Sequence, residues 1–252
     1  MDLGLNNKSV VIIGGSRGIG LSIAQNFLKE GAKVNIIARN ISDNLKTSLI
    51  KLHAGKVFFF KGDATDKGSL TDISKLIAET FKGIDIVIAN VGNGKSSLDP
   101  LQSDIDWEES WNLNFKSALN SANVFLPLIN TLGSFTFISS IAGKEYLGAP
   151  NSYSVAKSAI NTLMKSFSHK FGNKLRVNCI APGNVIFKKS RWEEILSESP
   201  ESVNKMLEDK VPLKRFGIPE EIANVVVFVS SPKASFISGA CINVDGGQTI
   251  SY

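Results

Sequence analysis

"SVVIIGGSRGIG", residues 9–20, joins an apolar run to a glycine-rich segment that leads into an amphipathic stretch. Gly14, Gly18 and Gly20 have the spacing G-x-x-x-G-x-G directly between the predicted strand and helix. Glycine permits a tight turn and a close approach of the backbone to a diphosphate, and the helix N-terminus supplies N–H groups. The stretch therefore predicts a dinucleotide-binding turn. A plain structural turn is the alternative, because turns collect glycine for conformational reasons.

The same strand-and-helix alternation continues along the chain. Apolar runs at 33–39, 56–63, 84–92, 134–140, 175–183 and 241–247 predict six further strands. Helical patterns are predicted at 19–30, 43–53, 69–81, 104–129, 153–171 and 219–230. Several strands are apolar without alternation, as in sheets covered on both faces. We expect an α/β fold: a single-domain Rossmann-type doubly wound parallel sheet of about seven strands with helices on both faces.

Composition narrows the functional classes. The 252 residues are 43% hydrophobic and 20% charged, without a linker or repeat, which favours one domain over residues 1–252. Neither a signal-peptide pattern nor an apolar run of about 20 residues is present, so we expect a cytoplasmic protein without membrane contact. The net charge of +5 comes from scattered basic residues, which argues against nucleic acid and favours an anionic ligand.

The few cysteines and histidines point away from disulfide and metal chemistry. Cys179 and Cys241 lie in strand-like segments and are expected to be buried free thiols in a reducing compartment. His53 and His169 have no companion ligands at metal spacing. No metal site is expected.

The end of the second predicted strand indicates which dinucleotide binds. NAD-binding chains usually place an acidic residue about 20 positions after the glycines, where it bonds the ribose 2′-hydroxyl. This chain has Arg39 and Asn40 there, and Arg17 lies inside the glycine turn. Guanidinium groups match phosphate geometry, so the pattern favours NADP(H). Two solvated surface arginines are the alternative.

"NSYSVAKSAI", residues 151–160, places Tyr153 and Lys157 one helical turn apart. Together with the glycine turn, "IANVG" (88–92), "ISSIAG" (138–143) and "APG" (181–183), this segment resembles the short-chain dehydrogenase/reductase family over essentially the whole chain. Tyr153 follows Ser140 by thirteen residues, which is the spacing of that family. The resemblance is nearest to the 3-oxoacyl-carrier-protein reductases.

The resemblance implies a catalytic set of Asn114, Ser140, Tyr153 and Lys157. Tyr153 would exchange a proton with the substrate oxygen, and Ser140 would hydrogen-bond that oxygen. Lys157 would hold the nicotinamide ribose and, with the oxidised cofactor, lower the tyrosine pKa. Asn114 would position a water. Ser139 and Asn112 are the neighbouring alternatives to Ser140 and Asn114.

Further cofactor contacts are also implied by the resemblance. The implied set is Gly14, Ser16, Arg17, Gly18, Ile19, Gly20, Arg39, Asn40, Asp63, Ala64, Asn90, Gly92, Tyr153, Lys157, Pro182, Gly183 and Val185. Three positions depart from the family pattern: Ile13 replaces threonine, Ala89 replaces asparagine, and Phe187 replaces the threonine that often bonds the carboxamide. These departures bear on the cofactor pose.

Residues at about 186–212 correspond to the family's variable substrate-binding insertion, and their pattern predicts a lid helix. Lys188, Lys189 and Arg191 are placed to attract an anionic or carrier-bound substrate, or they form a solvated charge cluster. Trp192 either lines the pocket or anchors the lid.

We expect an NADPH-dependent oxidoreductase that transfers hydride between the nicotinamide and a small-molecule ketone or secondary alcohol. An enzyme acting on a sugar or sugar nucleotide and a non-catalytic NADP-sensing regulator are the alternatives. The family resemblance also implies a homotetramer or homodimer, formed through helix 104–129, with Trp107 and Trp111, and through the last strand. Buried core aromatics are the alternative reading of the two tryptophans.

Overall fold

A computed structural model describes residues 1–251 of the chain. Seven strands form one parallel sheet in the order β3-β2-β1-β4-β5-β6-β7. The strands are β1 (Ser9–Ile13), β2 (Lys33–Ala38), β3 (Val57–Lys61), β4 (Ile84–Ala89), β5 (Ile129–Ile138), β6 (Leu175–Pro182) and β7 (Cys241–Val244). The expected doubly wound sheet is confirmed.

The helices cover both faces of this sheet. They are α1 (Gly18–Lys29), α2 (Asp43–Leu52), α3 (Lys67–Phe81), α4 (Asp104–Trp111), α5 (Ser117–Phe125), α6 (Asn151–Phe171), α7 (Arg191–Glu198), α8 (Pro200–Lys210) and α9 (Pro219–Ser230). Helices α1, α2 and α9 pack on the face that contains Val10 and Ile12. Helices α3, α5 and α6 pack on the face that contains Val11 and Ile13. Both faces of β1 are thus buried, which explains its uninterrupted apolar sequence.

Two helix predictions need correction. The predicted helix 104–129 is divided into α4 and α5 by a π-helical turn at Asn112–Lys116, and β5 begins at Ile129. Hydrophobic periodicity does not distinguish an i→i+5 turn from an α-helical one, so the sequence did not show the break. The lid segment contains two helices rather than one: α7 ends at Glu198, and Pro200 begins α8 after the single residue Ser199.

The sheet order places a crevice at the carboxyl ends of β1 and β4. Strand β1 pairs with β2 on one side and β4 on the other, so the connections diverge there and leave a cleft. Cys179 and Cys241 are free and face each other across β6 and β7; Cys179 is buried and Cys241 half-buried. Within residues 1–251 there is neither a helix suited to spanning a membrane nor a cluster of potential metal ligands.

Candidate active site

One cleft of about 1320 Å³ lies at the carboxyl edge of the sheet. It extends from Arg39 and Asp63 at one end, past the glycine turn, to Tyr153 and the lid helices. Of the implied cofactor and catalytic residues, Gly14, Ser16, Arg17, Ile19, Arg39, Asn40, Asp63, Ala64, Asn90, Gly92, Ser140, Tyr153, Lys157, Pro182, Gly183 and Val185 line it. The remaining three, Gly18, Gly20 and Asn114, lie behind its wall.

The glycine turn brings α1 close to β1. A Cβ on Gly20 would lie 2.1 Å from the Gly14 carbonyl oxygen, so any side chain there would push the helix away from the strand. Asn90 at the end of β4 donates its amide to the same carbonyl at 2.9 Å. Gly18 has a φ of +53° and packs against the Phe187 ring, which leaves no space for a Cβ. The turn therefore requires glycine for packing as well as for conformation.

Positive charge collects at the far end of the cleft. Arg39 is 65% exposed and lies 3.9 Å from the Asp63 carboxylate, which also accepts hydrogen bonds from the backbone and hydroxyl of Thr65. A neighbouring pocket of about 430 Å³ is lined by Arg39 together with Lys46 and Lys61. These two lysines were not anticipated from sequence, because neither belongs to the glycine motif or follows it at the usual spacing. Cations thus predominate at this end.

Ser140 and Ser139 have different partners. The Ser140 hydroxyl lies at the end of β5, accepts the Ala142 N–H at 3.2 Å and acts to lower the pKa of the Tyr153 phenol. The Ser139 hydroxyl instead donates to the Lys157 backbone carbonyl at 3.2 Å and so ties β5 to α6. This difference favours Ser140 as the residue available to a substrate.

Lys157 is a buried cation within the cleft wall. Its side chain is 4% exposed, and Nζ donates to the Ile138 carbonyl at 3.0 Å. Nζ also lies 5.8 Å from the centre of the Tyr153 ring. Burial lowers the pKa of Lys157 to about 8, and the nearby Cys179 thiol partly opposes this. Lys157 therefore titrates close to neutral pH.

The pKa of Tyr153 shifts in the direction opposite to the sequence expectation. Burial raises it, and the Ser140 hydroxyl only partly offsets this effect. The Lys157 ammonium is hydrogen-bonded to the Ile138 carbonyl and lies over the ring face, so it does not lower the phenol pKa here. The prediction from sequence also included the positive charge of an oxidised nicotinamide, whose effect on the Tyr153 pKa is separate from that of Lys157. In the chain alone, Tyr153 is held protonated at neutral pH.

Asn114 lies in the π-helical turn between α4 and α5 and is 1% exposed, whereas Asn112 is exposed. The Asn93 backbone N–H donates to Asn114 Oδ1 at 2.9 Å, and Nδ2 donates to the Ser110 carbonyl at 3.1 Å. A Cβ on Gly92 would lie 2.6 Å from Asn114 Oδ1 and 3.0 Å from Lys157 Nζ. Glycine at this position thus leaves room for both the amide and the ammonium beside the backbone at residue 92.

The lid side of the cleft contains residues that the family motifs do not include. Lys95, Lys189, Arg191 and Lys210 line it, whereas Lys188 does not. Trp192 both lines the cleft and packs on Phe216 at a ring-centre distance of 5.4 Å, so it is at once a wall and an anchor of the lid. Lys95 and Lys210 lie outside every motif, which is why the sequence did not indicate them.

Comparison with known proteins agrees with this geometry. Residues 13–249 match the family model described as enoyl-(acyl carrier protein) reductase. The chain is 34% identical over 252 residues to isoepoxydon dehydrogenase of Penicillium expansum, covering 97% of this chain and 95% of that protein. It is 35% identical over 250 residues to 3-oxoacyl-acyl-carrier-protein reductase of Chlamydia muridarum, covering 97% and 98%. The solved structure of L-sorbose reductase from Gluconobacter frateurii, complexed with NADPH and L-sorbose, superposes with a TM-score of 0.91 at 28% identity and full coverage of both chains.

Proposed function

This chain belongs to the short-chain dehydrogenase/reductase family, and we propose that it uses NADPH to reduce a small-molecule ketone to a secondary alcohol. As a member of the family it is an NAD(P)-dependent oxidoreductase. The observation that carries the finer proposal is the shared cleft: Ser140, Tyr153 and Lys157 line one part, and Arg17 and Arg39 line the other.

The residues present fit NADPH. Gly14 has a φ of +88°, and a Cβ there would lie 3.0 Å from Val91 Cγ2, so glycine allows the tight turn on which a diphosphate would rest. Arg17 and Arg39 line the cleft and would pair with a 2′-phosphate, and the only carboxylate lining the cleft within residues 1–251 is Asp63. The Phe187 ring packs against Gly18, so this position offers a cofactor an apolar surface and no hydroxyl to hydrogen-bond.

Tyr153 would deliver the proton of the reaction. When bound, NADPH supplies the hydride that the carbonyl carbon accepts. The phenol O–H of Tyr153 breaks and a new O–H forms on the substrate oxygen, so the tyrosine is left as phenolate. Because burial raises its pKa, Tyr153 keeps this proton at neutral pH until charge develops on the substrate oxygen. This protonation state favours reduction over oxidation.

Ser140 would stabilise the charge that forms on the substrate oxygen, and Lys157 would bind the cofactor. The Ser140 hydroxyl accepts the Ala142 N–H, so its own hydrogen can turn from the Tyr153 phenol to the substrate oxygen. The Lys157 ammonium lines the same part of the cleft, where it would hold the nicotinamide ribose. Asn114 Oδ1 and Lys157 Nζ both lie beside Gly92, where a proton would return to the site.

The substitution Tyr153→Phe tests the proposal. It removes only the hydroxyl, so NADPH-dependent turnover should fall by at least about a hundredfold, the usual scale for a general acid. NADPH binding, followed by the fluorescence of the reduced cofactor, should persist. An NADP-sensing regulator would instead keep its biological output in the variant. Wild-type rates with NADH above those with NADPH would contradict the cofactor assignment.

A sugar substrate is the second candidate, because the similar L-sorbose reductase structure contains NADPH and L-sorbose. A panel of acyl thioesters, ketoses, sugar nucleotides and small ketones, followed at the nicotinamide absorbance with each cofactor, separates the classes. Turnover of ketoses with no turnover of other ketones would favour a sugar as the substrate.

We also propose that the chain functions in the cytoplasm as a homotetramer or homodimer. Trp107 and Trp111 are 36% and 37% exposed, and Ile105 beside them is 68% exposed. Near the last strand, Phe236 and Ile250 are fully or nearly fully exposed. Apolar surface of this kind supports association. Light scattering that gives a monomer mass at micromolar concentration would contradict it.

A further inference from the structure

The lid side of the cleft has an excess of positive charge. Lys95, Lys189, Arg191 and Lys210 line it, and the only lining carboxylate among residues 1–251, Asp63, lies at the opposite end. Lys189 and Lys210 form no ion pair within 4.0 Å inside the same range. A neutral ketone gains nothing from such a wall, whereas an anionic one is attracted to it.

Two of these cations hold a carboxylate. Lys95 projects from the loop after β4, Arg191 begins α7, and the Glu194 side chain joins them. Lys95 Nζ contacts Glu194 Oε1, and Arg191 Nη1 lies 3.6 Å from Glu194 Oε2. The hydrogen bond from Lys95 is the main reason that the pKa of Glu194 is lowered. The two opposite walls of the cleft are thus joined through one carboxylate group.

This charged group is close to the proposed site of reduction. Lys95 donates its backbone N–H to Asn93 Oδ1 at 3.0 Å, and the Asn93 N–H bonds Asn114. A Cβ on Gly94, between Asn93 and Lys95, would lie 4.0 Å from the Tyr153 ring, so this backbone passes close to the tyrosine. The segment Asn93–Lys95 therefore connects the cation to the groups around the tyrosine.

We propose that the ketone substrate carries a carboxylate or phosphate that binds Lys95 and Arg191 in the place of the Glu194 carboxylate. The inference rests on the proposed reductase function and adds the substrate class. Glu194 is about one-third exposed, so its side chain can turn into water when the substrate anion takes its partners. Lys189 and Lys210 add attraction at the mouth of the cleft.

Matched ketones test this inference. We would compare acetoacetate with methyl acetoacetate, and dihydroxyacetone phosphate with dihydroxyacetone, by kcat/KM with NADPH. Each pair keeps the ketone and removes the charge, and the two pairs distinguish carboxylate from phosphate. The wild-type protein should prefer an anionic member by about tenfold or more, the scale of a charged hydrogen-bonded contact. Added salt should reduce the preference.

Charge-removing variants locate the contact. Lys95→Met and Arg191→Met should each reduce the anion-to-neutral ratio of kcat/KM by about tenfold and change the rate with the neutral ketone much less. The matched control is Lys188→Met, which removes the same charge three residues from Arg191 at a side chain that does not line the cleft. It should change the ratio by less than about twofold.

The variant Glu194→Gln distinguishes two roles of Glu194. Its carboxylate is either replaced by the substrate anion, or it only holds the lid closed. If Glu194 competes with the substrate anion, the variant has a lower KM for the anionic ketone and an unchanged one for the neutral ketone. If the ion pair only holds the lid closed, both ketones lose kcat/KM, and the inference is overturned.

Binding provides a readout that does not need turnover. Calorimetric titration of NADPH-loaded Tyr153→Phe protein should show tighter binding of an anionic ketone than of its neutral match. Equal binding overturns the inference even where neutral ketones are reduced, and the proposed function then stands. If no ketone is reduced by the wild-type protein but the anions still bind selectively, the proposed function fails and the anion site stands.

Discussion

Replacing Lys157 with methionine should abolish activity and yet stabilise the folded chain at neutral pH. Burial lowers the pKa of Lys157 from an ordinary 10.5 to about 8. A difference of this size corresponds to about 3 kcal/mol of unfolding free energy, at about 1.4 kcal/mol per pKa unit. Below pH 8 both the folded and unfolded chains carry the charged lysine. The full free-energy cost of burying that charge then destabilises the folded state.

The sign of the pH dependence follows from the order of deprotonation. As pH rises from about 8 to 10.5, the folded chain loses the Lys157 proton before the unfolded chain does, and the cost disappears. Methionine has no charge, so its advantage should be largest near pH 7 and should shrink by about 3 kcal/mol at pH 10.5. Loss of the hydrogen bond to the Ile138 carbonyl offsets part of the gain, by about 1 kcal/mol.

The measurement is urea unfolding of wild-type and variant chains without cofactor, followed by circular dichroism between pH 7 and 10.5. Lys165→Met is the matched control: Lys165 is on the same helix and also donates to a backbone carbonyl, that of Gly239, but it is exposed. The difference in unfolding free energy between Lys165→Met and wild type should be nearly independent of pH. If the difference in unfolding free energy between Lys157→Met and wild type is also independent of pH between 7 and 10.5, the argument from burial is wrong.

Three further predictions concern the cofactor end of the cleft and the ion pair between Arg215 and Glu221. Gly20→Ala should abolish NADPH binding in a fluorescence titration, because its Cβ would lie 2.1 Å from a backbone oxygen; unaltered binding would show that the turn is not tightly packed. Arg39→Ala should raise the KM for NADPH about tenfold and leave that for NADH nearly unchanged, and an equal effect on both would contradict its role with the 2′-phosphate. The hydrogen bond from Arg215 lowers the pKa of Glu221 to about 2. The contribution of this pair to the stability of the folded chain is therefore present above pH 4.5 and lost as pH falls toward 2. Because this pair is exposed, Glu221→Gln should cost at most about 1 kcal/mol in urea unfolding at pH 7, and nothing at pH 2.

The sequence by itself determined the sheet and the place of its cleft. Apolar runs separated by helical patterns depend on local periodicity, and a parallel sheet covered on both faces is the fold that such alternation favours. The spacing of Gly14, Gly18 and Gly20 and the one-turn separation of Tyr153 and Lys157 are also local, so both could be interpreted without tertiary information.

Tertiary structure decided the electrostatics and the partners. Lys157 is turned toward the Ile138 carbonyl and Tyr153 is held protonated by burial, because desolvation depends on the whole surrounding fold. The π-helical turn that carries Asn114 and the approach of Lys95 to Arg191 through Glu194 also join segments that no sequence pattern relates. Local periodicity determines which elements form, whereas the contacts between distant segments set the charge and the protonation of the site.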